Sequence, residues 1–285
     1  MCVKETHIAK ELNEPIRIQE YAVGIFSTVK TKSAVKKAIK NKLILVNDLP
    51  TTTAKIIIGG DKITLLNSIH TPHKKKLVFK LKIVFEDEYL AIIEKPAGIL
   101  VSGNKFKTID NALPQNLKKS KLKDAVRPRP VHRLDFPTTG LLLIGKTSSS
   151  IIALNQLFEK NEITKKYFAI TIGKMNAKGS IKSTISKKTA ISYYKTIHTV
   201  KSERFDCLNL VELLPKTGRK HQLRVHLSGI GNPILGDQEY GTESLILKGK
   251  GLYLHAAKLD FIHPFTKEKL SIKSDLPDKF KLITR

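Results

Sequence analysis

The sequence predicts an α+β protein: one large domain on a mixed, mostly antiparallel sheet, preceded by a small α/β module. Three observations predict it. Short strand-like apolar stretches and helical-period stretches alternate irregularly, with hairpin signals, so no regular strand–helix–strand alternation builds a parallel sheet. A polar, basic, proline-containing connector, N-S-I-H-T-P-H-K-K-K-L-V-F, divides the chain at 68–80. The 285 residues, 41% of them hydrophobic, suffice for one large core and a small one. No repeat of fixed period is visible.

In chain order, residues 1–14 read as a loose polar start, and the module follows at 15–67. Ile18, Tyr21, Ala22 and Ile25 recur at helical spacing and predict a first helix. A second, S-A-V-K-K-A-I-K-N, can be capped by Thr31 or Ser33. Its apolar side is Ala34, Val35, Ala38 and Ile39, while Lys32, Lys36, Lys37 and Lys40 cover the rest. Asn47-Asp48 in L-I-L-V-N-D-L-P suits a tight turn between short strands. The module closes with another turn and strand in I-I-I-G-G-D-K-I-T-L-L.

The large domain, 81–285, opens with two strands joined by a turn at 86–88, and Lys95-Pro96-Ala97-Gly98 breaks the second. Residues 103–125 are polar and hold a short helix. Then comes R-P-R-P-V-H-R-L-D-F-P-T-T-G-L-L-L-I-G-K-T at 127–147. Pro137 cannot continue a strand ladder and Gly140 can take φ > 0, so the chain turns between them. The apolar run 141–144, bounded by glycines, reads as a buried strand. Asp135 therefore sits on a loop supported by a core strand, where one carboxylate can be placed accurately.

A helix follows over 148–160. In the strand K-K-Y-F-A-I-T-I-G, Tyr167 and Ala169 oppose Phe168 and Ile170. Residues 174–204 read as a basic hairpin region, and the strand 207–214 is stopped by Pro215. T-G-R-K-H-Q-L-R-V-H-L reads as a helix begun at Gly218 and stopped at Gly229, with Arg224 one turn from Lys220. A glycine-rich loop, I-G-N-P-I-L-G-D-Q-E-Y-G, and two late strand or turn segments complete the chain.

Charge bounds the partner. Fifty-one Lys and Arg against 25 Asp and Glu give +26, so a polyanion, nucleic acid first, is the natural partner. Only eight of those cations are arginines, and five of the eight stand at 127–133 and 219–224. Where lysine fills nearly every basic slot, arginine points to a need for its planar fork, so bidentate recognition is expected at those two stretches.

Several chemistries are excluded. Gly140-Leu-Leu-Leu-Ile-Gly145-Lys146-Thr147 matches the phosphate-loop pattern letter for letter. Its four central residues belong inside a sheet, however, whereas a phosphate loop must bend them around an anion. The nine histidines are scattered, and His221 and His226 miss the one-face spacing of a metal-binding helix. No G-x-S-x-G elbow occurs. Cys2 and Cys207 read as free thiols of a reducing cytosol. No apolar run approaches a membrane span, and the first ten residues lack the apolar core of a signal peptide.

Two resemblances follow from these residues. The segment with the basic helix, "ILVND" and "GGDKI" resembles the S4 RNA-binding module over about fifty residues, departing at its start, where I-R-I-Q-E-Y stands for the usual R-L-D-x-x-L. H-R-L-D-x-x-T-x-G, K-x-Y-x-A, G-R-x-H-Q-L-R-x-H and N-P-I-x-G-D, in this order across residues 80–275, resemble the RluA-type RNA pseudouridine synthases. The second resemblance implies isomerisation of uridine in structured RNA, without metal, nucleotide or redox cofactor.

It also implies roles for individual residues. Asp135 matches the catalytic aspartate, Tyr167 the tyrosine stacked on the flipped uracil, and Arg224 the basic partner of the aspartate. Arg133 matches the arginine that fills the gap left by the extruded base. His132 is expected to shape that loop, and Arg219 to contact phosphate or support its own loop. Lys32, Lys36, Lys37 and Lys40 are the expected RNA contacts of the S4-like module. Pro137-Thr138-Thr139-Gly140 replaces the family's polar residue followed by T-S-G, and Ser102 stands where many relatives have His, which bears on substrate choice. Ribosomal RNA of the large subunit is the first expected partner and tRNA the second, with a monomer acting in the cytoplasm. The competing class is a non-catalytic S4-type RNA-binding or ribosome-assembly factor. That class gives no reason for an Asp–Arg–Tyr set in family order.

Overall fold

The computed structural model describes residues 3–12, 14–67, 77–247 and 249–284. The chain divides into two compact units, Met1–Lys75 and Lys76–Arg285. Of the 68–80 connector, residues 68–76 lie outside the described residues.

The first unit contains β1 (Val3–Ile8), β2 (Ile16–Arg17), α1 (Ile18–Tyr21), α2 (Lys32–Lys40), β3 (Ile44–Val46), β4 (Leu49–Pro50), β5 (Ile56–Ile57) and β6 (Lys62–Leu66). Its sheet runs β1-β6-β3-β4, and β2 pairs with β5. The second helix forms as its pattern predicts. Thr31 Oγ1 accepts from Ala34 N–H at 3.2 Å, and Val35, Ala38 and Ile39 pack with Ile18, Phe26 and Ile44. Asn47 and Asp48 take φ 50° and 67°, the left-handed pair that a tight hairpin turn requires.

Two expectations fail in this unit. Within the expected loose start, Val3–Ile8 form a strand, because β1 pairs antiparallel with β6. V-K-E-T-H-I is exposed or half-buried throughout, so main-chain pairing and not an apolar stripe holds it, which a hydrophobic pattern cannot reveal. The first helix is a single turn, with Ala22 and Phe26 carried into the core by the turns that follow. All four α2 lysines are exposed, and Lys32 is ion-paired with Glu20.

The second unit contains β7 (Lys82–Glu86), β8 (Leu90–Lys95), α3 (Ile109–Asn116), β9 (Ala125–Pro130), β10 (Thr139–Thr147), α4 (Ser148–Glu159), β11 (Thr164–Ile172), β12 (Lys178–Ile185), β13 (Lys188–Ser202), β14 (Asp206–Pro215), α5 (Gln222–Gly229), β15 (Leu254–Ile262), β16 (Lys269–Lys273) and α6 (Lys281–Thr284). One ten-stranded sheet runs β12-β13-β14-β11-β15-β10-β8-β7, with β16 on β15 and β9 on β10. Of its pairings only β10–β15 is parallel. The fold is the mixed, mostly antiparallel α+β arrangement that the sequence predicts.

β10 explains its own sequence. Leu141 and Leu143 pack with Leu154 of α4, whereas Leu142 and Ile144 pack with Ile109 and Leu113 of α3. A strand covered on both faces has no polar side, hence the unbroken apolar run. Gly140, with φ 113°, lets β10 approach β15, since a Cβ there would lie 2.3 Å from Ala256 O. The phosphate-loop reading ends here. Lys146 is buried in the strand, with Nζ 2.7 Å from Glu86 Oε1.

Candidate active site

The loop between β9 and β10 carries Asp135 and is fixed at both ends. His132 Nε2 accepts from Leu143 N–H at 3.0 Å. Burial, with nearby Lys165, pushes that imidazole down to about 3, so it is neutral and structural. Thr139 Oγ1 lies 2.8 Å from His255 Nδ1. Between these anchors a fully buried lysine gathers the loop. Lys95 Nζ donates to Thr138 O at 2.7 Å, Pro96 O at 2.9 Å and Phe136 O at 3.2 Å. Burial lowers the Lys95 pKa to about 8, while the charge of Asp135 opposes the shift.

Asp135 opens onto a cavity of about 640 Å³ lined also by Arg133, Tyr167, Arg219, His221 and Arg224. Tyr167 reaches it from β11. Its hydroxyl is pushed well above the ordinary tyrosine range, by burial first and by the Asp135 charge second. Arg133 is exposed at the cavity wall. Arg219 Nε donates to Thr189 O at 3.1 Å, so its guanidinium partly supports the loop before α5. Arg127, expected to recognise a ligand, instead fastens β9 to α3 through Asp110 O and Asn111 Oδ1.

Arg224 stands beside Asp135 as expected, but that ion pair is the longest of its three. Its fork is taken by Asp237, with Nε to Oδ2 at 2.8 Å and Nη2 to Oδ1 at 2.7 Å, and Nη2 also reaches Glu239 Oε2 at 3.2 Å. Only Nη1 faces Asp135, at 3.9 Å from Oδ2. Asp237 Oδ1 accepts in addition from the N–H groups of Glu239 and Tyr240. Burial alone would raise the Asp237 pKa, but the Arg224 and backbone bonds hold it below the usual carboxylate range. Asp237 belongs to the N-P-I-x-G-D motif, the available signal for it, although nothing in that motif points to Arg224 as its partner.

The helix begins later than predicted, at Gln222, because His221 takes φ 54°. Lys220 is therefore off the helix. Left-handed backbone at a non-glycine residue is held by its surroundings. Here His221 Nδ1 lies 3.0 Å from Tyr240 Oη and 3.2 Å from Glu239 Oε1, and Nε2 lies 3.7 Å from Asp135 Oδ1. The two oxygens of Asp135 thus face different nitrogens, neither within hydrogen-bond distance, so the carboxylate is oriented yet available. Among the described residues no group of His, Cys, Asp and Glu is placed to hold a metal ion.

Known proteins resemble this chain over most of its length. Residues 89–229, which carry Asp135, Tyr167 and Arg224, match the family described as RNA pseudouridylate synthase. The chain is 33% identical over 310 residues to ribosomal large subunit pseudouridine synthase C of Rickettsia felis, covering 95% of this chain and 98% of that one. The chain belongs to the RNA pseudouridylate synthase family. It is accordingly an enzyme that isomerises uridine in RNA. Ribosomal large subunit pseudouridine synthase D of Vibrio cholerae is 31% identical over 302 residues, covering 97% of this chain and 90% of that one. Among solved structures, human RNA pseudouridylate synthase domain containing 4 is similar with a TM-score of 0.58 and 28% identity, covering 70% of this chain and 90% of that one. Within this synthase no described helix is long and apolar enough to cross a membrane.

Proposed function

We propose that this synthase modifies large-subunit ribosomal RNA and that Asp135 performs the chemistry. The observation that carries the reading is the meeting of an oriented but unbonded carboxylate, a half-buried tyrosine and a clamped arginine in one cavity. The bond from ribose C1′ to uracil N1 breaks, the uracil turns, and C1′ joins C5. C5 loses a proton and N1 gains one, so atoms and electrons balance without an oxidant or reductant. Asp135 acts on the ribose, Tyr167 stacks on the uracil, and Nη1 of Arg224, 3.9 Å from Oδ2, keeps the carboxylate aimed. Arg133 occupies the space the extruded base leaves. The cationic surface and aromatic contact offset the few kcal/mol needed to unstack a base.

The first unit serves as the S4-like RNA-binding module, with Lys36, Lys37 and Lys40 toward phosphates and Lys32 sharing its charge with Glu20. We assign a monomer acting in the cytoplasm. The large-subunit target rests on the names of the relatives, and tRNA is the alternative substrate. The test is tritium release from C5 of uracil-labelled transcripts. Large-subunit RNA should release tritium with wild type and not with Asp135→Asn, which keeps shape but loses charge. Normal release by Asp135→Asn defeats the assignment of Asp135, and release from tRNA alone defeats the ribosomal target.

A further inference from the structure

Phe136 follows Asp135 directly, is 52% exposed, and takes no part in the machinery above. A lone apolar surface residue needs no explanation. This one differs in how it is held. Its carbonyl accepts from both Lys95 Nζ at 3.2 Å and Gly98 N–H at 2.9 Å, and Pro137 restricts the backbone behind it. The loop therefore cannot shift to bury the ring without breaking the contacts that place Asp135. The ring is kept out in solvent, one residue from the reacting carboxylate and three from the exposed guanidinium of Arg133.

Turning a uridine out of its stack bares a face of each neighbouring base. An aromatic ring on a rigid loop, carried by the residue next in sequence to the reacting one, can cover such a face with little ordering cost, because its backbone is already fixed. We propose that Phe136 is a stacking platform for an unpaired base adjacent to the target uridine, favouring a purine for its larger π surface, and so helps to set the accepted sequence context. This rests on the uridine-isomerising reading of the site.

The test is a double-mutant cycle across protein and RNA. The probe is a synthetic hairpin carrying the ribosomal segment around the modified uridine, intact or with either flanking nucleotide made abasic. Wild type should bind one of the abasic hairpins on the order of ten-fold more weakly than the intact one. Phe136→Leu should bind the intact hairpin with a similar loss and show no further abasic penalty. Phe136→Trp should restore both the affinity and the penalty, and melting curves check that each variant is folded. An abasic penalty in Phe136→Leu equal to that of wild type, or no penalty in wild type at either neighbour, overturns the proposal. A wild-type protein inactive on RNA overturns the site reading as well, which separates the two failures.

Discussion

Arg224 is the residue on which stability and activity can be separated. Its side chain is 5% exposed and that of Asp237 is fully buried, with both arms of the fork engaged. Breaking such a pair from one side leaves an uncompensated buried charge, at a cost of about 3–5 kcal/mol. For a unit of roughly 200 residues this corresponds to a melting temperature lower by about 6–20 °C. Arg224→Leu should show that loss, together with loss of pseudouridine formation. Arg224→Lys keeps a charge but cannot span both oxygens of Asp237 and still present a nitrogen to Asp135, so turnover should fall by about 10²-fold. The double substitution Arg224→Leu with Asp237→Leu removes both charges, and an apolar pair of similar volume can be near neutral in stability. It should melt well above the single Arg224→Leu variant and remain inactive. Differential scanning calorimetry beside tritium release reads both quantities. An Arg224→Leu protein that melts with wild type, or a double variant that regains activity, refutes this account.

Four further outcomes follow from the geometry. Below about pH 8 the Lys95 ammonium has three donors for three carbonyls, and above it the amine has two, so single-turnover rates should fall as pH rises through about 8. Stability has the opposite sign. A folded pKa below the ordinary 10.5 means the unfolded state binds more protons, so this lysine's contribution to stability rises between about pH 8 and 10.5, as urea titrations across that window can check. Lys146→Met leaves Glu86 unpaired and should lower the melting temperature, while calorimetric titration shows no ATP binding to either protein and activity below the melt stays within a few-fold. Replacing Lys36, Lys37 and Lys40 together by Gln should weaken RNA binding and reduce the slope of log affinity against log salt by up to about 2–3. An unchanged slope would remove the first unit's α2 from the RNA contact.

What was legible in the sequence was whatever leaves a local trace. The run 141–144 announced a buried strand, Thr31 or Ser33 a helix cap and Asn47-Asp48 a tight turn, and all three form, with Thr31 as the cap; Asp135 and Tyr167, singled out by their motifs, line one cavity. β1 left no trace because its pairing is made by main chain while its side chains stay largely in solvent. Lys95 read only as part of a strand-breaking Lys-Pro turn, since nothing local says that three carbonyls converge on its ammonium.

The partner of Arg224 was hidden for a different reason. Asp135 and Asp237 are both carboxylates in recognisable motifs, and a sequence does not say which one meets the fork edge-on. Packing far along the chain decides it. Thr171 of β11 bridges to Ile234, and a Cβ on Gly236 would lie 2.0 Å from Gly251 O. These close approaches set the loop so that Asp237 meets both Nε and Nη2 of Arg224. Nη1 is then the nitrogen left over for Asp135. A carboxylate bound edge-on by the fork would have its lone pairs committed. One faced at 3.9 Å by a nitrogen whose arginine is clamped elsewhere keeps them available for the proposed step on the ribose. The second aspartate is thus what leaves the first one unbonded, as its proposed role requires.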